Sequence, residues 1–519
     1  ATGSFSSGVA SGITLTANAA RATTPDGPFS ATFGVAPVDS DGVAMTAFDM
    51  ASASGGSNDR TQVASVPLHF GRLRVSSAAG DGQRSLRSDF VVNLVGNIGY
   101  AAAQWVMLLV LVRLGSPAMV GEYSLGLAIG APVVMFTNLR LAYLLATDAS
   151  RARPFTSYFS LRLAANAVAF VTIMLWATLG GYRGSTWLVI VFVGIAKLAE
   201  ALSDITFGYL SLRLRFRAMA LSLALRGWGT VILMLVLRLL DVPLVGIAGA
   251  LAAWWWLAFW VVDLRLVRNA RIGDDPALAP PAGLLALIRS FRLDAALLEL
   301  AWQAVPLGVV ALSLSLAASI PRLTIARVLG ADAVGYFSAL AYVMVAGRMI
   351  AVALGTPTLP RLGRFVAAAD RAAFLRTVAT VVAFGLALGV AGVVASLLVG
   401  RLALTIVYGP DYAAWSEVLT LLLVASGLGY AATFLEDALL AMRRLVAQGV
   451  LLVATLGVIA VACATLVPVH GLRGAAWALV IGACVELSGA ALLFWRAMSS
   501  WPMPEAVVPR VSAMPPSAG

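Results

Sequence analysis

Charge is what this chain has least of. Its 36 basic and 25 acidic residues make up 12% of 519, against 60% hydrophobic, whereas a water-soluble fold of this size needs roughly a quarter charged. A soluble globular protein is excluded, and a mean hydropathy of +0.90 points to an integral membrane protein. Lysine is nearly missing: 35 of the 36 basic residues are arginine and the other is Lys197, so a formal charge of +11 rests on cations that do not titrate. There are two histidines, His69 and His470, and two cysteines, Cys463 and Cys484. They are too few and too far apart for a metal site or a histidine-based triad, and both cysteines lie in apolar runs, where small buried side chains are expected. No catalytic residue, metal or cofactor is expected. Nucleic acid is not expected as a partner either, because the arginines lie in short clusters between apolar runs and form no basic domain with stacking aromatics.

What is present is organised by length. Residues 1–88 are rich in Ala, Gly, Ser, Thr and Asp and hold no apolar run that could cross a bilayer, which reads as a disordered cytoplasmic tail. With Arg21 as its first cation and no apolar run behind it, the tail does not read as a signal peptide. From Phe90 onward, apolar stretches of membrane-crossing length recur. They fall near residues 90–112, 120–141, 159–179, 186–209, 218–239, 244–266, 302–329, 333–359, 374–399, 418–442, 446–467 and 472–495. Twelve spans are predicted, in two six-helix halves at 89–268 and 301–497, with a cytoplasmic linker at 269–300 and a cytoplasmic tail at 498–519.

The arginines test that count. Segments on one side carry 23 of them, from Arg72, Arg74, Arg84 and Arg87 through Arg151, Arg153 and Arg162 to Arg496 and Arg510. Connections on the other side carry six: Arg113, Arg183, Arg238, Arg327, Arg401 and Arg473. The alternation is unbroken, which the positive-inside rule predicts for an even number of spans with both termini in the cytoplasm.

The halves share landmarks. RLGSPAMVGEYS (Arg113 to Ser124) follows the first span and VLGADAVGYFS (Val328 to Ser338) the seventh; VGIAGALA (Val245 to Ala252) opens the sixth and HGLRGAAWA (His470 to Ala478) the twelfth. Repeated halves around a central cavity are the architecture of alternating-access transporters. With the YGPDY segment (Tyr408 to Tyr412) before the tenth span, these motifs resemble the polysaccharide-export branch of the multidrug/oligosaccharidyl-lipid/polysaccharide (MOP) superfamily, the Wzx-type flippases. The resemblance covers about Asp89 to Trp495. It implies an all-α membrane fold that moves an undecaprenyl-diphosphate-linked oligosaccharide across the bacterial cytoplasmic membrane. The implied partners are that lipid-linked oligosaccharide, membrane lipids, and a polysaccharide polymerase and co-polymerase. Family members often carry an Asp-Arg pair on the seventh helix, where this chain has Pro321 and Arg322.

An ion at the bilayer centre costs at least ~2.5 kcal/mol unless it faces a partner or a cavity, so charges within the spans are the informative residues. Arginine suits a diphosphate because its fork donates two bonds to phosphate oxygens. Arg140, Arg226, Arg322 and Arg348 are candidate diphosphate ligands, two per half. Arg140 and Arg322 also fit side chains that snorkel to the headgroups, whereas Arg226 and Arg348 lie deeper and are expected in the cavity. Lys197, Glu200 and Asp204 share one face of the fourth span. They make either a structural salt bridge, or a substrate-facing Lys197 with Glu200 or Asp204 taking a coupling ion. Glu486, alone within the twelfth span, is a further candidate for ion coupling, while Glu436 and Asp437 fall near the water boundary. Asn93, Asn97, Tyr100 and Gln104 line one face of the first span, and Ser315, Ser319 and Arg322 one face of the seventh. These side chains could bind glycan hydroxyls or neighbouring helices. Trp254, Trp255, Trp256 and Trp260 read as lipid-facing bulk or, alternatively, as a sugar-stacking platform.

Three activities compete. A lipid-linked oligosaccharide flippase fits the cationic spans; a peptidoglycan-precursor flippase or a drug/cation antiporter of the same superfamily shares the fold. A membrane O-antigen polymerase or ligase would need a long outer loop for its active site, and the longest here, near 400–415, is short.

Overall fold

Proline, glycine and capping side chains set where the helices begin and break. The computed structural model describes residues 79–147, 154–270 and 295–501, all within one unit, Ser77–Gly519, and no strand occurs among them. In chain order the helices are α1 (Ala79–Leu114), α2 (Pro117–Thr137), α3 (Leu141–Thr147), α4 (Phe155–Leu179), α5 (Gly184–Leu212), α6 (Phe216–Leu239) and α7 (Leu244–Ala258). A π-helical turn (Phe259–Asp263) joins α7 to α8 (Leu264–Asn269). The second half holds α9 (Ala295–Leu329), α10 (Ala331–Ala367), α11 (Arg371–Val407), the short α12 (Pro410–Ala413), α13 (Ser416–Ala441) and α14 (Leu445–Ser499).

Ten of the described helices are long and apolar enough to cross a membrane. Gly184–Leu212 matches them in length, at 29 residues, while carrying Lys197, Glu200 and Asp204. The 55-residue α14 is one continuous element only in its hydrogen bonding. Gly471, at φ 59° and ψ −134°, breaks it just after Pro468; no Cβ has to be accommodated there, so glycine meets the left-handed turn without strain. Counting α5 and both arms of α14 gives the twelve passes predicted. The described part of the expected tail is helical from Ala79, and α9 begins at Ala295, inside the expected linker. The remainder of the tail, the linker core with its Pro-rich DDPALAPPAG and the C-terminal segment lie outside the described residues.

The repeated landmarks are helix boundaries. Ser116 caps α2, accepting the Met119 N–H at 3.3 Å, with Pro117 in the first turn where its missing N–H leaves no bond unmade. The matching turn in the second half uses Gly330 at φ 87° before α10. The region predicted as the longest outer loop, 400–415, is mostly helix: α11 runs to Val407, and Gly409 (φ 118°) and Pro410 start α12.

α2 packs against both α9 and α10, which ties the halves together. Much of the outer helix surface is apolar, with Leu397, Leu398, Val450 and Val461 among its exposed side chains. In water such a surface would aggregate; in a bilayer it meets a matching solvent, and helix association relies on close packing of small residues. α11 and α13 meet in this way at Gly389 and Gly427: a Cβ on Gly427 would stand 2.6 Å from the Gly389 Cα. Gly389→Val is therefore expected to destabilise the second half by about 1–3 kcal/mol through overpacking, read as a lowered Tm in detergent. An unchanged Tm would mean that the two helices do not pack at this point.

Candidate functional site

Lys197, Glu200 and Arg226 come close together inside the first half. Lys197 on α5 pairs with Glu200 at 2.5 Å, both partly exposed, and the Tyr100 hydroxyl of α1 donates to Glu200 at 3.4 Å. Lys197 Nζ lies 5.9 Å from the Trp255 ring centroid on α7, and the Arg226 guanidinium of α6 lies 5.6 Å from the same ring. A cavity of about 20 Å³ opens beside Lys197 and Trp255, lined by these two with Gln104, Tyr123 and apolar neighbours. That is room for about one water. This conformation therefore leaves no space beside Lys197 for anything larger.

Arg226 does not face this cavity, which corrects the expectation from its depth in the span. It is fully buried, its Nη2 donates to Asp263 Oδ2 at 2.5 Å and to the Ser203 hydroxyl, and Ser222 donates to the other carboxylate oxygen of Asp263. Asp263, three residues from the end of the span predicted at 244–266, is not among the candidate charges read from the sequence. The π-helical turn ends on Asp263 and widens the backbone there, and the carboxylate it carries is wholly enclosed. π turns of this kind recur at functional positions.

Asp204 has a partner as well. Arg162, counted among the cytoplasmic arginines, is two turns inside α4 and fully buried; it reaches Asp204 at 3.1 Å and the Asn138 side chain. Its position corrects the loop assignment, since α4 begins at Phe155. Arg140 is exposed at a break after α2, where Leu139 (φ 50°) and Arg140 (φ 48°) both take left-handed conformations. Asn97 is exposed and bonds Asn93, at 2.8 Å to its carbonyl and 3.0 Å to its side chain, so the structure does not bring this pair to the cavity; Gln104 does reach it.

In the second half, Arg322 donates to the Ser338 hydroxyl of α10 at 3.2 Å and to the Ala318 carbonyl at 3.1 Å. A hydroxyl and a carbonyl thus satisfy this guanidinium. Arg348 is exposed on α10, and its charge acts on Glu436 of α13 and Glu486 of α14. The tryptophans are not simple lipid-facing bulk, because their indole N–H groups find acceptors on neighbouring helices. Trp255 donates to Thr230 at 2.9 Å, Trp256 to the Ile195 carbonyl at 3.2 Å and Trp254 to the Arg226 carbonyl at 3.4 Å.

At the arginine-poor end, Tyr336, Tyr408, Tyr412 and Trp415 stack edge-on and tilted with ring centroids 4.9 to 5.8 Å apart. The YGPDY segment supplies two of these rings. Burial, reinforced by the neighbouring Tyr336, Tyr408 and Asp411, pushes the Tyr412 phenol above its usual value, so it stays neutral at physiological pH.

No protein-family model matches the chain. It is 23% identical over 415 residues to a capsular polysaccharide biosynthesis protein, CapF, of Staphylococcus aureus, covering 77% of this chain and 96% of CapF. Among solved structures it is similar to the lipid II flippase MurJ in an inward closed conformation, at a TM-score of 0.61 and 10% identity, over 78% of this chain and 90% of MurJ. It is also similar to a MOP-superfamily transporter from Pyrococcus furiosus described as having a binding pocket of reversed polarity. That match has a TM-score of 0.51 and 15% identity, over 80% of this chain and 95% of the other.

Proposed function

We propose, from the MOP-transporter fold of this multi-pass membrane protein, that it is a flippase that carries an undecaprenyl-diphosphate-linked oligosaccharide across the bacterial cytoplasmic membrane by alternating access. The observation that carries this reading is the cationic character of the intramembrane site, Lys197 beside Gln104, Tyr123 and Trp255. A permanent or near-permanent cation suits a diphosphate and repels the cations that a drug antiporter would export. The CapF relative, matched along nearly its whole length, supports a glycan cargo. In this reading the arginine-rich end faces the cytoplasm, and the inside-negative potential assists outward movement of the anionic headgroup by about 2.3 kcal/mol per charge per 100 mV.

Lys197 takes the diphosphate on opening, when it exchanges Glu200 for phosphate oxygens. Glu200, thereby released, is the carboxylate placed to take up a coupling ion. Asp204 remains held by Arg162. Arg322 and Arg348 present cations from the second half, with Glu486 beside Arg348 as its titrating partner, and Arg140 receives the headgroup at the cytoplasmic end.

The test is depletion of the protein in cells, with extraction and mass analysis of undecaprenyl-linked species and assay of their leaflet with an impermeant periodate probe. Lipid-linked oligosaccharide is expected to accumulate in the probe-protected leaflet, and the wild-type gene to reverse this. Accumulation of a peptidoglycan precursor instead would assign the other flippase activity, and no change in any lipid-linked species would refute the flippase reading.

A further inference from the structure

The two glycines that end the repeated turn motif do something the transport reading does not use. Gly121 of α2 lies against the backbone of Ala331 at the start of α10. A Cβ on it would overlap the Ala331 carbonyl and stand 3.2 Å from the Ala331 Cα. Gly335 of α10 lies in the same way against Pro117 at the start of α2. A Cβ there would overlap the Pro117 carbonyl and stand 3.1 Å from its Cα. Each half thus presses the glycine of its own motif against the helix start of the other, and the contact is reciprocal because the motif is repeated.

Three further hydrogen bonds cross between the halves at the same end. The Arg113 guanidinium, at the end of α1, donates to the Val407 carbonyl at 2.7 Å and to the Ile406 carbonyl, the last residues of α11. Trp105 Nε1 donates to the Tyr408 hydroxyl at 3.1 Å. Helix-end carbonyls lack intrahelical partners, so a cation bound there is favoured by both charge and hydrogen bonding.

We infer that the repeated glycine motif, with Arg113, is a latch that closes the arginine-poor end of the protein and is released when that end opens. The inference rests on the alternating-access reading for its purpose, but the contact itself is independent of what is carried. Glycine is required because backbone meets backbone only in the closed state. In an open state the same positions have room, so a side chain there biases the two-state balance toward opening instead of disrupting either half.

The test uses the full-length protein in cells, with Cys463→Ala and Cys484→Ala to remove native thiols and Ser124→Cys as reporter. Ser124 is buried one helical turn from Gly121. Labelling is by a membrane-impermeant maleimide added outside. Gly121→Ala with Gly335→Ala is expected to raise the labelling rate about thirtyfold or more, the size of shift that overpacking by one methyl in each of two contacts produces. Arg113→Ala, an exposed change that touches no core, is expected to raise it a few-fold. If the glycine pair fails to reach the membrane, Arg113→Ala decides alone. Unchanged labelling in variants that do reach the membrane overturns the latch, whether or not export falls. Raised labelling upholds the latch whatever happens to polymer export, and the flippase reading stands or falls separately on the leaflet of the lipid-linked oligosaccharide.

Discussion

Alanine at Arg226 is expected to destabilise the first half by about 3–5 kcal/mol, because it leaves the Asp263 carboxylate buried without its counter-ion. Both partners are almost inaccessible, at 2% and 0% side-chain exposure, so solvent cannot relieve the orphaned charge. Asp263 would keep only the Ser222 hydroxyl, which is not a substitute for a cation. The readout is the thermal midpoint of the purified protein in detergent. Replacing both members with apolar side chains of similar volume, Arg226→Met with Asp263→Leu, is expected to recover most of the loss, since removing a buried pair together is far cheaper than halving it. If Arg226→Ala instead left the midpoint unchanged and abolished export, Arg226 would be a substrate ligand and the structural assignment would fail.

Lys197→Ala is expected to do the opposite: a loss of polymer export of about tenfold or more with little change in thermal midpoint. The Lys197–Glu200 pair is 21% and 32% exposed, and such a half-solvated pair adds only about 0–1 kcal/mol to stability. A charge-assisted bond to a buried phosphate is worth about 1.5–3 kcal/mol, which is the source of the expected export defect. Lys197→Arg should retain part of the activity, because the charge persists while the reach and geometry change. Export at the wild-type level in Lys197→Ala would remove Lys197 from the binding site. Taken together, the two arginine and lysine variants separate a cation that holds helices together from one that holds cargo.

The sequence could show that Lys197, Glu200 and Asp204 share a helix face, since a period of 3.6 residues fixes that. It could not show that Asp204 turns to Arg162 while Glu200 keeps Lys197, because Arg162 lies more than 40 residues away on another helix. The same holds for Arg226. Its depth in an apolar run correctly marked it as a buried ion needing compensation, but cavity and counter-ion satisfy that need equally well. The counter-ion was hidden in Asp263, which a π-helical turn carries into the bundle; nothing in WVVDLR announces that turn. Asn93 and Asn97 illustrate the converse, because a polar stripe on one helix face can be satisfied within the stripe.

By itself the sequence determined that this is an all-helical, multi-pass membrane protein, and where the repeated Gly and Pro motifs that bound its helices fall. Those features follow from local physics, namely the apolar length needed to cross a bilayer and the backbone demands of Gly and Pro. Only the tertiary structure decided which charges are spent on one another, which remain beside a cavity, and that the repeated glycines meet across the halves. Such pairings depend on residues brought together from distant parts of the chain, and inside a low-dielectric bundle the choice of partner decides whether a charge supports the fold or remains available for a ligand.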